Sequence, residues 1–448
     1  MNTVEQRSII PGPRGRFLVG NRYDYERDRA GFLLGCQQRY GDVFRFDADT
    51  VVALDPELTH EVFTDTNTRF VELRTGSSTE VLARQAGPWM LMRRRSGRGL
   101  GRGMLISHAQ RMDEGFISGF RAAAGRELDS LEFAQMLCGG AAAEFCFFDG
   151  GGEVAYKNGM WHRLVLAGNE QDERIPRWLP TVQRRRRDAV GRDSFDQLVR
   201  YVAARMSQPR PDNNRDVVDM VLDPQSGPPL SATEAARVIR IALSTAYGVP
   251  GAALVWIMRE LALRPEMMAK VRTESTGLPH AIGSADPHLL PYTLAVVREL
   301  LRVYPPIWLV GRYAAAATSL GGWTLRRGER VLLSPYLIHR DHRWWRDPGQ
   351  VRPERWMDTQ HPCKPNMYIP FGGGPRVCLG ARISLLQLTI ATARLAEGYD
   401  IELVNASTAA AAHNVLLVPA GLRARLIPRA HSGAARTVKG GAGDPLAG

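Results

Sequence analysis

The chain has 448 residues, 44% of them hydrophobic and 23% charged, and a formal net charge of +12. That is enough apolar material for a sizeable core, and the length permits two or three domains. Five cysteines at irregular spacings (Cys36, Cys138, Cys146, Cys363, Cys378) fit neither a disulfide framework nor a zinc site. Only four of the 58 basic residues are lysines. This bias reflects GC-rich coding more readily than chemistry. No nucleic-acid motif accompanies the charge, so no nucleic-acid partner is expected. The segment Met1 to Ile10 is polar, and no run reads as long enough to span a membrane. The expectation is a cytoplasmic protein without membrane contact.

In chain order, Pro11-Gly12-Pro13-Arg14-Gly15 is a stiff leader, and the alternation from Asp42 to Leu54 predicts a hairpin. Glu57 to Asn67 reads as a short helix, and Arg74 to Pro88 as a loop. A helix carrying Arg94, Arg95, Arg98 and Arg102 follows Trp89, and these arginines read as a basic face. Residues 108 to 220 read as several helices broken at Pro209-Arg210-Pro211. The run Arg184 to Arg187 reads as solvated connection or helix surface. Ala232 to Leu263 is one long helical pattern, followed by helices over Glu266 to Ser275 and Pro291 to Tyr304. Pro305-Pro306 stops the last of these. Leu320 to Leu333 reads as sheet. Residues 431–448 are Gly/Ala-rich, with almost no large apolar side chains, and read as a disordered tail after a single domain over 1–430.

The most informative stretch runs from Phe371 to Gly380, Phe-Gly-Gly-Gly-Pro-Arg-Val-Cys-Leu-Gly, just before an apolar helical run from Ile383 to Leu395. The glycines and proline set a tight turn with little side-chain bulk. A thiolate at Cys378 would face the positive end of that helix and nearby backbone N–H groups. Taken alone, a buried structural cysteine is the plainer reading.

The spacing of Phe371, Gly374, Arg376, Cys378 and Gly380 resembles the haem-binding signature of the cytochrome P450 family of haem-thiolate monooxygenases. Three further motifs resemble that family, in family order: Trp89 and Arg93 (Trp-x-x-x-Arg), Glu299 and Arg302 (Glu-x-x-Arg), and Pro353-Glu354-Arg355. The resemblance covers residues 10 to 425 or so. It implies a mainly α fold with a small β region, haem b (iron protoporphyrin IX) lying between the long central helix and the cysteine-loop helix, and Cys378 as the axial iron ligand. It also implies propionate partners at Arg93, Arg312 and Arg376, with Trp89, Phe371 and Gly380 around the cofactor. A buried Glu299–Arg302–Arg355 network would brace the cysteine loop. His339 reads as a satisfied structural histidine.

One departure bears on mechanism. Landmarks Leu254, Trp256, Glu260, Leu261 and Pro265 align the central helix and place the family's acid–alcohol pair on Gly248 and Val249. In the family that pair orders water and delivers protons for O–O cleavage. Neither residue has a proton to give. Pro250 removes a backbone N–H, leaving the carbonyl of Ala246 without its helical donor. Two readings stay open at even odds: Gly248 and Pro250 seat a water, or a substrate hydroxyl or amine, for a proton relay, or they merely kink the helix around a bulky substrate. Tyr247 lies where it can reach a substrate or serve as packing.

The resemblance therefore implies an oxidative tailoring step in specialised metabolism, either hydroxylation or C–N, C–C or C–O bond formation. A hydrophobic small molecule is the expected substrate, and a separate ferredoxin with its reductase the expected electron source for a monomeric enzyme. Two alternatives are a peroxide-driven peroxygenase and a non-catalytic haem- or ligand-binding protein. The expected pocket walls are the 74–88 loop, Leu243 to Val249, Ile307 to Val310 and Val415 to Leu417.

Overall fold

In the computed structural model, residues 9–16, 20–72, 90–91, 93, 95, 102–148, 151–172, 181–208, 216–277, 282, 284–358, 363–406 and 409–429 are described. Trp89, Arg94, Arg98, the 74–88 loop and the 431–448 segment lie outside them.

The longest element is the central helix, Ala232–Leu263. Its start is fixed by a capping box. The Glu234 amide donates to the Ser231 hydroxyl oxygen, and the Ser231 amide donates to the Glu234 carboxylate at 2.9 Å. The helix runs without a break through Pro250. By length and apolarity it is also a candidate membrane span, which corrects the expectation that no run reaches that length. Its Gly, Ala and Pro content hid the run from a reading by large apolar residues. About 65% of the relevant window is buried inside the protein, so it is accounted for as a core helix.

Helices Arg102–Ala123, Ser130–Phe147, Gly152–Asp172 and Val182–Ser207 pack around it. The close approach of Ser130–Phe147 depends on Gly251. A Cβ there would stand 2.5 Å from Cα of Gln135. Of the arginine run in Val182–Ser207, Arg185 and Arg186 are exposed while Arg184 is buried, so the surface reading fails for Arg184.

Two shorter helices hold the site. The bracing helix, Pro291–Val303, opens on a proline at its first turn and ends before Pro305-Pro306. The cysteine-loop helix, Ala381–Gly398, follows Gly380 and contributes Leu386, Leu388, Ile390 and Leu395 to the main core. A five-stranded sheet orders Val43–Asp47, Thr50–Ala53, Arg330–Leu333, Val310–Ala314 and Phe70–Val71, with only the second and third strands parallel. Strands Glu127–Asp129, Arg423–Pro428 and Tyr399–Leu403 form a second sheet, which the sequence reading did not anticipate.

Candidate functional site

The cysteine loop is held from both ends. Within it, the Cys378 amide donates to Phe371 O at 2.9 Å and the Val377 amide to Gly374 O at 3.1 Å. Gly374 has φ +64, and a Cβ there would meet Phe63 O at 2.0 Å, so only glycine fits. At the near end, the Ile369 amide donates to His339 Nε2 at 2.9 Å. That bond makes Nε2 the acceptor. Nδ1 then carries the proton and donates to Arg302 O at 3.1 Å. Burial, reinforced by the Arg302 charge, pulls the His339 pKa down to about 3, so the ring is neutral.

Arg302 is fully buried on the bracing helix. It donates to Glu299 through Nε and a terminal nitrogen at 3.0 and 2.9 Å, and to the carbonyls of His339, Pro348 and Gln350. Glu299 also accepts from the Arg352 amide, Arg355 Nε and Trp356 Nε1 at 2.9, 3.0 and 2.9 Å. Burial opposes ionisation of Glu299, but hydrogen bonds and charge from Arg302, Arg352 and Arg355 hold its carboxyl below the usual range. The Glu299–Arg302–Arg355 network is thus present in the structure. Trp356 is a fourth member; it is adjacent to the Pro-Glu-Arg motif, but its indole N–H gave no sequence signal of its own.

Cys378 lies between Val377 and Leu379 in this loop. Its side chain is accessible, yet the surrounding protein pushes the thiol pKa up, with a hydrogen bond from the Gly380 backbone pulling the other way. Phe371, Leu379 and Ile383 are only partly buried around it. Three arginines approach this loop. Arg93 donates to Val377 O at 3.0 Å. Arg376 donates to Asn67 Oδ1 and to Glu72, both at 2.9 Å. Arg312 donates to Thr66 Oγ1 at 3.2 Å and lies 3.7 Å from the other oxygen of Glu72. Burial lowers the pKa of Arg312, Glu72 opposes that, and the neighbouring Arg376 charge lowers it further. The two guanidiniums share the Glu72 carboxylate.

These residues fit a haem. An accessible sulfur receives a backbone N–H, as a thiolate ligand requires, and Arg93, Arg312 and Arg376 converge on the same loop, where they would serve propionates. A coordinating metal would deprotonate the thiol outright, whatever burial does to the free group.

Across the central helix, Val249 packs with Ile307, Leu416, Val418, Ala252, Leu131 and Ala412 in one apolar cluster. One residue from each of three expected walls packs there, while Leu243, Val310 and Leu417 belong to other core clusters; the fourth wall, the 74–88 loop, lies outside the described residues. Gly248 and Pro250 are buried on the same stretch. Tyr247 points to two neighbouring helices. A Cβ at Gly139 or Gly159 would come within 2.2 or 2.4 Å of its ring, so these glycines form its slot. That geometry favours the packing role over substrate contact. Arg95, read as part of a basic face, is instead buried and donates to the carbonyls of Val221 and Pro228. A chain-order reading had no means of placing those carbonyls beside it.

The chain matches the family model described as Cytochrome P450 over residues 152–421. It is 35% identical over 164 residues to Ferruginol synthase of Salvia miltiorrhiza, covering 35% of this chain and 33% of that protein. It is 32% identical over 206 residues to Dimethylnonatriene synthase of Arabidopsis thaliana, covering 43% and 40%. It is 29% identical over 239 residues to Putative cytochrome P450 137 of Mycobacterium tuberculosis, covering 52% and 47%. The matched segments span less than half the length of each of these relatives. A solved structure titled "Retinoic acid bound cyanobacterial CYP120A1" superposes with TM-score 0.76 at 20% identity, covering 94% of this chain and all of that one. The fold is therefore the haem-thiolate one, mainly α with a small β region. The chain belongs to the cytochrome P450 family.

Proposed function

We propose that the protein is a haem-thiolate oxidase that tailors an apolar small molecule in specialised metabolism. The carrying observation is the cysteine loop. Cys378 is presented on a tight glycine turn that His339, Arg302 and Glu299 tie to the bracing helix. Such construction holds one sulfur in one place, which a merely buried cysteine does not need. Relatives named Ferruginol synthase and Tabersonine 16-hydroxylase 2 support a specialised-metabolite role.

Haem, when bound, supplies the iron centre at which dioxygen is activated. Cys378 would hold its iron, and the Gly380 backbone would tune the sulfur by hydrogen bonding. Arg93, Arg312 and Arg376 would hold its propionates. Val249, Ile307 and Leu416 would offer an apolar surface to the substrate. Gly248 and Val249 supply no proton. Pro250 leaves the Ala246 carbonyl free of its helical donor, and that oxygen is the proposed acceptor for a water or a substrate hydroxyl or amine. A substrate that completes its own relay favours hydrogen-removing chemistry, so C–N, C–C or C–O coupling stands beside hydroxylation.

The proposed enzyme is cytoplasmic and monomeric, and takes electrons from a ferredoxin and its reductase. The missing acid–alcohol pair also favours a second reading, peroxide-driven turnover. Product masses separate the chemistries: a gain of one oxygen marks hydroxylation, and a loss of two hydrogens marks coupling or desaturation. Equal turnover with peroxide alone would replace the ferredoxin reading. No product with any electron source, despite tight ligand binding, would leave a binding protein.

A further inference from the structure

Two of the three arginines at the cysteine loop are gripped by one short turn. It joins the helix Pro56–Thr64 to the strand Phe70–Val71. The Asn67 amide donates to Phe70 O at 2.8 Å, and the Phe70 amide to Asp65 O at 3.1 Å. Asn67 sits at φ +82, which asparagine tolerates better than most side chains do. Glycine would meet that backbone need with less strain, so the side chain has a use of its own. Its Oδ1 accepts from Arg376 Nε at 2.9 Å. The preceding residue does the same for the second arginine. Thr66 is 1% exposed, and its hydroxyl donates to Val62 O at 2.8 Å. The hydroxyl oxygen is left to accept, and it accepts from Arg312 Nε at 3.2 Å.

The far ends of the two guanidiniums converge. A terminal nitrogen of Arg376 lies 2.9 Å from one oxygen of Glu72, and one of Arg312 lies 3.7 Å from the other. Strand register explains the meeting. Phe70 pairs with Ala314 and Val71 with Tyr313, so the next position, Glu72, falls opposite Arg312. Adjacent cations repel, and the Arg376 charge does lower the Arg312 pKa. Long side chains under such repulsion swing apart unless both stems are fixed. Thr66 and Asn67 fix them at Nε, the nitrogen nearest the stem, and leave the outer edges to face an anion. Nη2 of Arg312 makes no hydrogen bond to any described residue. A plain structural tie would account for one such bond. It does not account for two, made by adjacent residues to the same atom of arginines from distant parts of the chain.

We propose that Thr66 and Asn67 are positioning residues for the haem propionates, holding Arg312 and Arg376 so that their terminal nitrogens are presented together to the cofactor's carboxylates. Both act through the arginines rather than on the cofactor. A planar guanidinium serves a carboxylate only when its fork is aimed, and a hydrogen bond at Nε sets that aim. This assignment rests on the haem-thiolate reading of the site, but its test does not depend on turnover.

The test compares haem b with its dimethyl ester, which keeps the ring and iron and lacks the two negative charges. Each is loaded into the full chain, and its loss is timed by transfer to excess apomyoglobin. Thr66→Val removes the acceptor and keeps the shape. Asn67→Gly removes Oδ1 and keeps the positive φ. Each variant speeds the loss of haem b about tenfold, as one lost hydrogen bond to a charged group would. Each leaves the loss of the ester unchanged. Thr66→Ser keeps the hydroxyl and retains haem b as the wild type does. Variants that lose both forms faster by one factor, or neither form faster, overturn the proposal. A wild type that loses haem b and the ester at one rate overturns it together with the propionate reading. If Thr66→Val fails to fold, Asn67→Gly decides. A wild type without a thiolate-type carbon monoxide spectrum overturns the oxidase reading instead, and leaves the ester comparison standing by itself.

Discussion

The backbone amide of Ile369 and Nε2 of His339 share one 2.9 Å hydrogen bond, and through it the cysteine loop is fastened to the bracing helix. The opposite ring nitrogen reports to Arg302 O, so a single neutral imidazole spans the two elements. His339→Ala leaves both backbone groups buried and unpaired, at about 1–3 kcal/mol each. The expected outcome is a lower melting temperature and substoichiometric haem, read by haem content per chain. Full haem loading in this variant would separate the bridge from cofactor retention.

The same histidine sets a pH dependence. Its folded pKa is near 3 and its unfolded value about 6.5. Between those values the unfolded chain binds a proton that the folded chain does not. Stability therefore falls as pH drops from about 6.5 towards 3, by up to about 1.4 kcal/mol per unit from this group. His413, held near 4, adds to the loss over part of that window. Glu299, with a lowered pKa, adds more as pH falls below its unfolded value. Urea midpoints at pH 7 and pH 5 check this: the wild type loses stability on acidification, and His339→Ala loses less.

Glu299 accepts five hydrogen bonds from four residues, so its removal strands buried donors and a buried guanidinium. Glu299→Ala costs about 3–5 kcal/mol and yields protein that does not retain haem. Trp356→Phe removes one donor to a charged acceptor and costs about 1.5–3 kcal/mol. Urea denaturation of the two variants should reproduce that order.

Gly374 combines a positive φ with a Phe63 carbonyl where a Cβ would go. Gly374→Ala adds about 1–2 kcal/mol of backbone strain and about 1–3 kcal/mol of overpacking. Haem loading falls with it, whereas Gly349→Ala, where nothing stands within 4 Å, leaves loading unchanged.

Glu72 is the carboxylate shared by Arg312 and Arg376. Glu72→Gln removes the carboxylate shared by two adjacent cations, which destabilises the haem-free protein by about 1 kcal/mol. Propionates would relieve their repulsion, so the loss is smaller in the haem-loaded protein. Melting temperatures of both forms provide the comparison. An equal loss in both would show that these arginines do not receive the cofactor's anions.

Much of this site was legible because its chemistry is local in sequence. The Phe371–Gly380 turn, Glu299 with Arg302 on one helix face, and the proline stop at Pro305 each announce themselves within ten residues. The central helix was placed at its observed bounds by its helical pattern. What stayed hidden depends on chain crossings. Glu72 approaches Arg376 across 304 residues, Trp356 reaches Glu299 across 57, and Arg95 meets the Val221 carbonyl across 126. Tyr247 was ambiguous for the same reason, because the glycines that form its slot belong to two other helices. The strand Tyr399–Leu403 does alternate, as Tyr-Asp-Ile-Glu-Leu, and was open to reading from the sequence.

The most direct test is the absorption spectrum of the reduced carbon monoxide adduct of the purified haem-loaded chain. The proposed ligation gives the red-shifted band diagnostic of thiolate, and Cys378→His loses it while still binding haem. A histidine-type spectrum in the wild type, or an unchanged band in Cys378→His, would contradict the assignment of Cys378 to iron.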